Sequence, residues 1–181
     1  MASPEAFVTG TGLAGLSVRV DESLEVASLR YFAHDGGFAE RAAHAAGAAL
    51  PAAQAAVASP DGALILAWRS PTETVCLARD AAHLQGLLAR LPASGEGYAV
   101  TLTGAFTVLR LGGARVAALI ARLGGSASLP AAGESRRSRL ADLPVLAIGV
   151  PAPAGEVLLL VDRAYAPHLL GWIRETVADF T

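Results

Sequence analysis

The chain has 181 residues, of which 53% are apolar and 17% are charged, and its formal net charge at pH 7 is −2. This length and apolar content predict a core that needs no disulfide or metal to fold. The weak, mixed charge excludes the basic footprint of a nucleic-acid-binding protein and predicts no attachment to an anionic membrane. Its 14 basic residues are all Arg, which excludes Schiff-base chemistry on a lysine and a lysine-containing phosphate loop.

The amino-terminal segment, residues 1–15, is predicted to be a flexible leader. MASPE has an acid where a secretory signal would have Arg or Lys, and no apolar stretch reaches the length of a membrane span, so we expect a cytoplasmic protein. GTGLAG at 10–15 has the glycine spacing of a dinucleotide-binding turn, which needs a strand before it and a helix after it. The alternating LSVRVDESLEV that follows is typical of a strand, so the sequence favours a leader over a nucleotide site.

Residues 16–91 are predicted to form two hairpins, each followed by a helix, in the order ββαββα. The first hairpin is expected to turn at Asp21, Glu22 and Ser23, and the second at RSPTE. The closing helix is expected to begin after Asp80, whose carboxylate can cap free backbone N–H groups. The predicted strands are 16–20, 24–31, 63–68 and 74–78, and the first helix covers about 38–49.

Residues 98–181 repeat this order after a joining segment, PASGEG, at 92–97. Gly104 is expected to form the turn of the first hairpin and PAPAG the turn of the second, and Asp162 is expected to precede the closing helix. The predicted strands are 98–103, 105–111, 144–150 and 156–161, and the helices are 114–123 and about 167–180.

The two halves also share short matches in unbroken order and at a nearly constant spacing. These are LSVRV (16–20) with YAVTL (98–102), VASLRY (26–31) with FTVLRL (106–111), LPAA at 50–53 and 129–132, and HLQGLL (83–88) with HLLGWI (168–173). Their order favours an internal duplication over an accident of the Ala- and Leu-rich composition. Without strand–helix alternation, we predict an α+β fold with mainly antiparallel sheets, in which residues 1–181 form a single domain of two pseudo-repeats.

Few side chains in the sequence indicate catalysis. The single cysteine, Cys76, lies in the strand-like TVCLA and is interpreted as a small core residue. The four histidines have no zinc-ligand spacing, and His83 and His168 occupy equivalent places at a helix start, which indicates a structural role. No G-x-S-x-G elbow is present. We therefore predict no catalytic residue and no metal ligand, and the sequence identifies no cofactor-binding residue.

Three arginines, Arg136, Arg137 and Arg139, are concentrated in ESRRSRL, which is predicted to be a loop between a helix and a strand. One interpretation is a solvated loop. The other is an anchor for a carboxylate-bearing partner or an anionic ligand, because a guanidinium binds a carboxylate with two parallel hydrogen bonds. Both interpretations stay open on the sequence.

The closing helix carries an aromatic residue away from its apolar stripe. At helical spacing, one stripe contains Leu169, Leu170, Ile173, Val177 and Phe180. Trp172 lies off this stripe, on the side of His168. Tryptophan is enriched at interface hot spots, so a partner contact is as good an interpretation as cover for a neighbouring loop.

Segments from both halves resemble one known family. They are SLRYF (28–32), LPAA (50–53), ILAWRSPTETVCLA (65–78), LRLGGARVAALIARLG (109–124), RLADLPVLAIG (139–149) and VDRAYAPHLLGWI (161–173). From about residue 15 to its end, the chain resembles the gamma-subunit family of heterotetrameric sarcosine oxidase. The most specific part is the D-R-x-Y segment that leads into a Trp-bearing final helix.

This resemblance implies a fold like the folate-binding domain of the glycine-cleavage T-protein, itself a pseudo-duplicated α+β body. It also implies a non-catalytic gamma-type subunit that supports assembly with alpha, beta and delta subunits. In that family the partner subunits hold FAD, FMN, NAD, tetrahydrofolate and zinc. The complex oxidises the N-methyl group of sarcosine, and related complexes act on other N-methyl amino acids.

An alternative interpretation is a stand-alone folate-binding protein related to the T-protein and to iron–sulfur-maintenance proteins. Those relatives carry a Lys-Gly-Cys-Tyr-x-Gly-Gln-like stretch, which this lysine-free sequence lacks. A T-protein-like methyltransferase would need a longer chain with more domains. The sequence therefore favours the subunit over both alternatives.

Overall fold

A computed structural model of the protein describes residues 15–151 and 155–180, so the predicted leader lies outside the described residues up to position 14. The strands are β1 (Ser17–Val20), β2 (Glu25–Tyr31), β3 (Ala56–Ala58), β4 (Leu64–Ser70), β5 (Glu73–Ala78), β6 (Gly97–Thr101), β7 (Phe106–Gly112), β8 (Ser135–Leu140), β9 (Leu143–Gly149) and β10 (Glu156–Asp162). The helices are α1 (Gly37–Ala46), α2 (Ala81–Ala89), α3 (Val116–Gly124) and α4 (Ala166–Ala178).

These strands form two five-stranded sheets, and the described pairings in both are antiparallel. Sheet 1 has the order β1-β7-β10-β9-β8, and sheet 2 has the order β3-β4-β5-β2-β6. Read from opposite edges, the two orders correspond strand for strand between the halves. The predicted α+β class with mainly antiparallel sheets is confirmed.

Both faces of each sheet are covered. Because successive side chains on a strand point to opposite sides, each strand contributes to two apolar layers. On β10, Leu159 and Val161 pack with α3 and α4, whereas Leu158 and Leu160 join a cluster that also contains Val75 of β5. The outer face of sheet 2 packs on α1 and α2. The layers are therefore helices, sheet 2, sheet 1 and helices, with a third apolar cluster between the sheets.

The first strand of each half pairs in the sheet of the other half, so both predicted first hairpins, 16–20 with 24–31 and 98–103 with 105–111, are wrong. β1 lies beside β7, and β6 lies beside β2. Alternation predicts that a strand buries one face but does not choose its neighbour. Val18 of β1 belongs to the core under α3 and α4, whereas Leu29 of β2 belongs to the core under α1 and α2.

The predicted turns of the two first hairpins, at Asp21–Ser23 and at Gly104, are crossings between the sheets. The Asp21 backbone N–H donates to the Val108 carbonyl at 2.8 Å, which holds the end of β1 on β7. Equivalently, the Leu102 N–H donates to the Val26 carbonyl at 2.7 Å at the end of β6. The two halves are thus joined by backbone hydrogen bonds as well as by apolar packing.

The predicted order ββαββα lacks one strand in each half, and the structure has ββαβββα. β3 is only three residues long. β8 occupies ESRRSRL, so the predicted loop around Arg136, Arg137 and Arg139 is wrong. The charged residues of this segment led to the prediction of a loop. Charged residues are nevertheless common on edge strands, because they discourage pairing with other chains.

The two closing helices begin in different ways. The Asp80 carboxylate accepts from the His83 backbone N–H at 3.0 Å and caps α2 as predicted. Asp162 instead ends β10 and accepts from the Ala164 N–H at 2.9 Å; it precedes α4 as expected but does not cap it, because the N-cap residue is Tyr165. Pro167 lies in the first turn of α4, where its fixed φ suits the helix and its missing N–H costs no hydrogen bond. No described helix has both the length and the apolarity needed to cross a bilayer.

Candidate functional site

The single cysteine is a core residue in the structure. Cys76 is fully buried on the face of β5 that packs against α1 and α2. Burial raises the pKa of its thiol to about 12, because a thiolate would lose its hydration there. A thiol that stays protonated at neutral pH is a poor nucleophile. The interpretation of Cys76 as a core residue agrees with this position.

The two histidines at equivalent places do different things. The His83 ring contacts the Asp80 carboxylate through Nδ1 at 2.7 Å, and hydrogen bonds from the His83 backbone and ring lower the pKa of Asp80. His168 Nε2 accepts from Trp172 Nε1–H at 3.1 Å. Across residues 15–151 and 155–180, no group of three His, Cys, Asp or Glu side chains is arranged to hold a metal ion.

A buried carboxylate lies on the face of sheet 2 that looks toward sheet 1. Glu73 has a side chain that is only 7% exposed, and it accepts from Ser28 Oγ at 2.7 Å and from Arg69 at 3.0 Å. Arg30 completes an ion pair with it at 3.2 Å. The carboxylate is therefore fully partnered, and its place at the start of β5 is structural.

The second half contains a corresponding ion pair. Arg110 of β7 contacts Glu156 at the start of β10 at 2.5 Å and Asp21 at 2.7 Å. Burial would raise the pKa of Asp21, but hydrogen bonds from Ser23 and Arg110 outweigh it, and the pKa lies below its ordinary value. Because Arg30 and Arg110 belong to matching sequence segments, the internal repeat extends to polar contacts.

The three arginines that were candidates for an anchor lie on edge strand β8 and face two sides of sheet 1. Arg136 points to the helix side, where it donates to Glu134 at 2.7 Å and to the Ala127 carbonyl at 2.9 Å. Arg137 and Arg139 alternate with it and share the inner face with their cross-strand partners on β9. Arg139 donates to the Asp142 carbonyl. The side chain of Arg137 has no hydrogen bond or ion pair within the described part of the chain.

A groove of about 640 Å³ runs beside these arginines. It is also lined by Trp68 and by Gln54, whose backbone has a left-handed φ of 60°. None of its described lining residues is acidic. The groove therefore presents cationic and hydrogen-bonding groups next to an aromatic ring.

A smaller cavity of about 190 Å³ opens between the two sheets and shares Arg137 with the groove. Its floor is apolar and buried, and it includes Val75, Leu146 and Leu160. Polar groups stand at its rim, namely Arg69, Arg137, Asp162 and Tyr165. This volume lies below the roughly 300–1,000 Å³ that is typical of pockets for drug-sized ligands.

Trp172 lies on the outer side of α4, apart from the groove. The apolar stripe of Leu169, Leu170, Ile173 and Val177 is buried, and Trp172 is 47% exposed. Its ring meets His168 edge to face with centroids 6.5 Å apart. The structure thus places the predicted interface residues in two groups, one on α4 and one on β8.

Sequence reasoning missed several residues that shape the groove and the cavity. Trp68 and Tyr165 were noted only within segments of family resemblance, and Arg69 and Asp162 only as parts of a turn and of a helix start. The cation of Arg69 lies 5.4 Å from the Phe106 ring centre, across the gap between the sheets. No short sequence pattern marks these residues as neighbours, because they come together only when the two sheets face each other.

Comparison with solved structures shows the fold of the chain. It superimposes on a chain of heterotetrameric sarcosine oxidase from Corynebacterium sp. U-96, in complex with pyrrole 2-carboxylate, with a TM-score of 0.81 and 22% identity. That match covers 98% of this chain and 90% of the other. The T aminomethyltransferase of the glycine cleavage system from Bartonella henselae follows with a TM-score of 0.65 and 14% identity over 88% of this chain.

The second match has a different extent. This chain spans 45% of the aminomethyltransferase, a little under half of its length. No protein-family model matches the sequence, and no curated protein matches it either. At these identities the matches establish a sarcosine oxidase-like and T-protein-like fold, as the sequence resemblance implied.

Proposed function

We propose that this chain is a non-catalytic, gamma-type subunit of a heterotetrameric, flavin-dependent oxidase of sarcosine or a related N-methyl amino acid. The observation that supports this most is the end-to-end likeness to a chain of heterotetrameric sarcosine oxidase, with 98% of this chain and 90% of the other aligned. Because nearly all of both chains is aligned, the match favours a subunit of similar length rather than a domain that the two proteins share within different architectures. The role proposed is to support assembly with alpha, beta and delta subunits.

The side chains agree with a role in assembly rather than in chemistry. Glu73 and Asp21, the most enclosed charged groups described above, are engaged in ion pairs, and the Cys76 thiol is buried and protonated. We propose that FAD, FMN, NAD, tetrahydrofolate and zinc are held by the partner subunits. A cytoplasmic location for the complex is part of the same proposal.

Co-expression with the neighbouring reading frames tests this function. The tagged chain is purified together with their products, and the eluate is examined for flavin absorbance near 450 nm and for peroxide formation with sarcosine and N-methylglutamate. We expect a yellow complex that contains this chain, and no oxidase activity from the chain alone. A chain that elutes alone, while its neighbours assemble without it, would refute the proposal.

A stand-alone folate-binding protein is the second candidate, supported by the likeness to the aminomethyltransferase fold. The inter-sheet cavity of about 190 Å³ is too small to enclose a folate by itself. Titration calorimetry of the isolated chain with tetrahydrofolate separates the two candidates. Micromolar affinity would favour the folate-binding protein.

A further inference from the structure

We propose that the groove beside β8 and the cavity that opens from it bind an extended segment of a partner subunit, in which a carboxylate lies next to a bulky apolar side chain. This inference rests on the proposed subunit function and identifies the chemistry of one contact. The proposed occupant of the groove and the cavity is a segment of a protein.

Charge is the first argument. Three arginines line the groove and none of its described lining residues is acidic, although Arg136 is paired with Glu134 outside the lining. Arg136 and Arg139 are held by contacts within the chain, whereas Arg137 is exposed and unpartnered in the described residues. A guanidinium with its donors free is suited to two parallel hydrogen bonds with a carboxylate. The groove therefore complements an acidic segment.

Shape is the second argument. The groove of about 640 Å³ is lined by four successive residues of β8, whereas the cavity of about 190 Å³ has a buried, apolar floor. Arg137 stands where the two meet. A side chain that enters the cavity therefore places its neighbour in the segment beside the Arg137 guanidinium. Apolar anchors in small pockets, surrounded by polar contacts, are the usual form of an interface hot spot.

Asymmetry between the halves is the third argument. In sheet 2 the edge strand that corresponds to β8 is β3, which consists of Ala56, Val57 and Ala58. That strand fills the same place in the duplicated fold without any charge. Sheet 2 therefore forms this edge without arginines, and the concentration of three arginines on β8 favours a role in binding beyond the protection of an edge strand.

The test uses the subunits encoded next to this gene. Their sequences are tiled as overlapping peptides, and binding of the purified full chain is measured by fluorescence anisotropy. We expect the bound peptides to have Asp or Glu within two positions of Leu, Ile, Phe or Met. Replacing either the acid or the apolar residue by Ala should weaken binding about tenfold or more.

Matched variants of this chain assign the contact. Arg137→Glu should abolish measurable peptide binding and release the chain from the assembled complex, and Arg137→Lys should restore part of the affinity. Arg19→Glu is the control, because Arg19 is also an exposed arginine on an edge strand of sheet 1, at the opposite edge. It should leave both measurements unchanged.

The outcomes separate this inference from the proposed function. Assembly that is equal for the wild type and Arg137→Glu would refute the contact and leave the subunit function standing. Binding of peptides that contain no Asp or Glu would also refute the contact. Binding of benzoate, a small carboxylate with an apolar ring, through Arg137 without binding of any peptide would refute it as well. Failure of the wild type to enter any complex with its neighbours would refute both.

Discussion

Replacing the buried carboxylate of Glu73 by an amide tests how the gap between the sheets is stabilised. Glu73→Gln keeps the size of the side chain and removes its charge. In the structure the charged carboxylate accepts hydrogen bonds from Ser28 and Arg69 and forms an ion pair with Arg30. A matched control exists in Glu96, which pairs with Arg41 at 3.3 Å and is 58% exposed.

The expected magnitude follows from burial. A hydrogen bond to a charged group contributes about 1.5–3 kcal/mol, and a buried group left without its partner costs most. Ser28 is fully buried, but the side chains of Arg30 and Arg69 are 48% and 31% exposed, so water partly replaces their lost partner. We therefore expect Glu73→Gln to lower the free energy of unfolding by about 2 kcal/mol. Glu96→Gln should lower it by about 0.5 kcal/mol or less.

Urea unfolding of both variants at pH 7, followed by far-ultraviolet circular dichroism, measures this difference. The slope of the free energy with urea should stay equal to that of the wild type, because the two changes alter little buried area. An equal decrease in the free energy of unfolding of the two variants would show that burial does not strengthen the Glu73 contacts. The reasoning would then be wrong.

Three further predictions address the interface, the cysteine and the pH dependence. Trp172→Ala should change the stability of the isolated chain by about 1 kcal/mol or less, as urea unfolding measures, and weaken assembly about tenfold; loss of the folded state would place Trp172 in the core. Cys76 should resist an aromatic disulfide reagent at pH 8 until urea unfolds the chain, and rapid labelling of the folded protein would contradict its burial. Because the pKa of Asp21 is depressed from 3.8, its stabilising effect is present above about pH 4 and is lost as pH falls through the lower folded value. Asp21→Asn should therefore flatten the acid limb of stability against pH, and an unchanged limb would exclude Asp21 as its source.

The sequence alone predicted most elements where local chemistry is strong. The largely apolar runs of β4, β5, β9 and β10 lie within one or two residues of their predicted bounds. The cap at Asp80 and the buried stripe of α4 were predicted because a carboxylate before a helix and helical periodicity act over a few residues. β8 was missed because three arginines in six positions obscure the alternation of an edge strand.

The order of duplicated segments and the apolar periodicity were legible in the amino-acid sequence, and they determined the α+β class and the two matching halves. Tertiary structure alone decided that β1 and β6 exchange places, because any antiparallel neighbour satisfies an alternating pattern until the cores are assembled. It also decided that Arg137 and Tyr165 share the rim of one cavity. These residues are far apart in the chain, and they come together because β8 and β10 both pair with β9 in sheet 1 and that sheet packs over sheet 2.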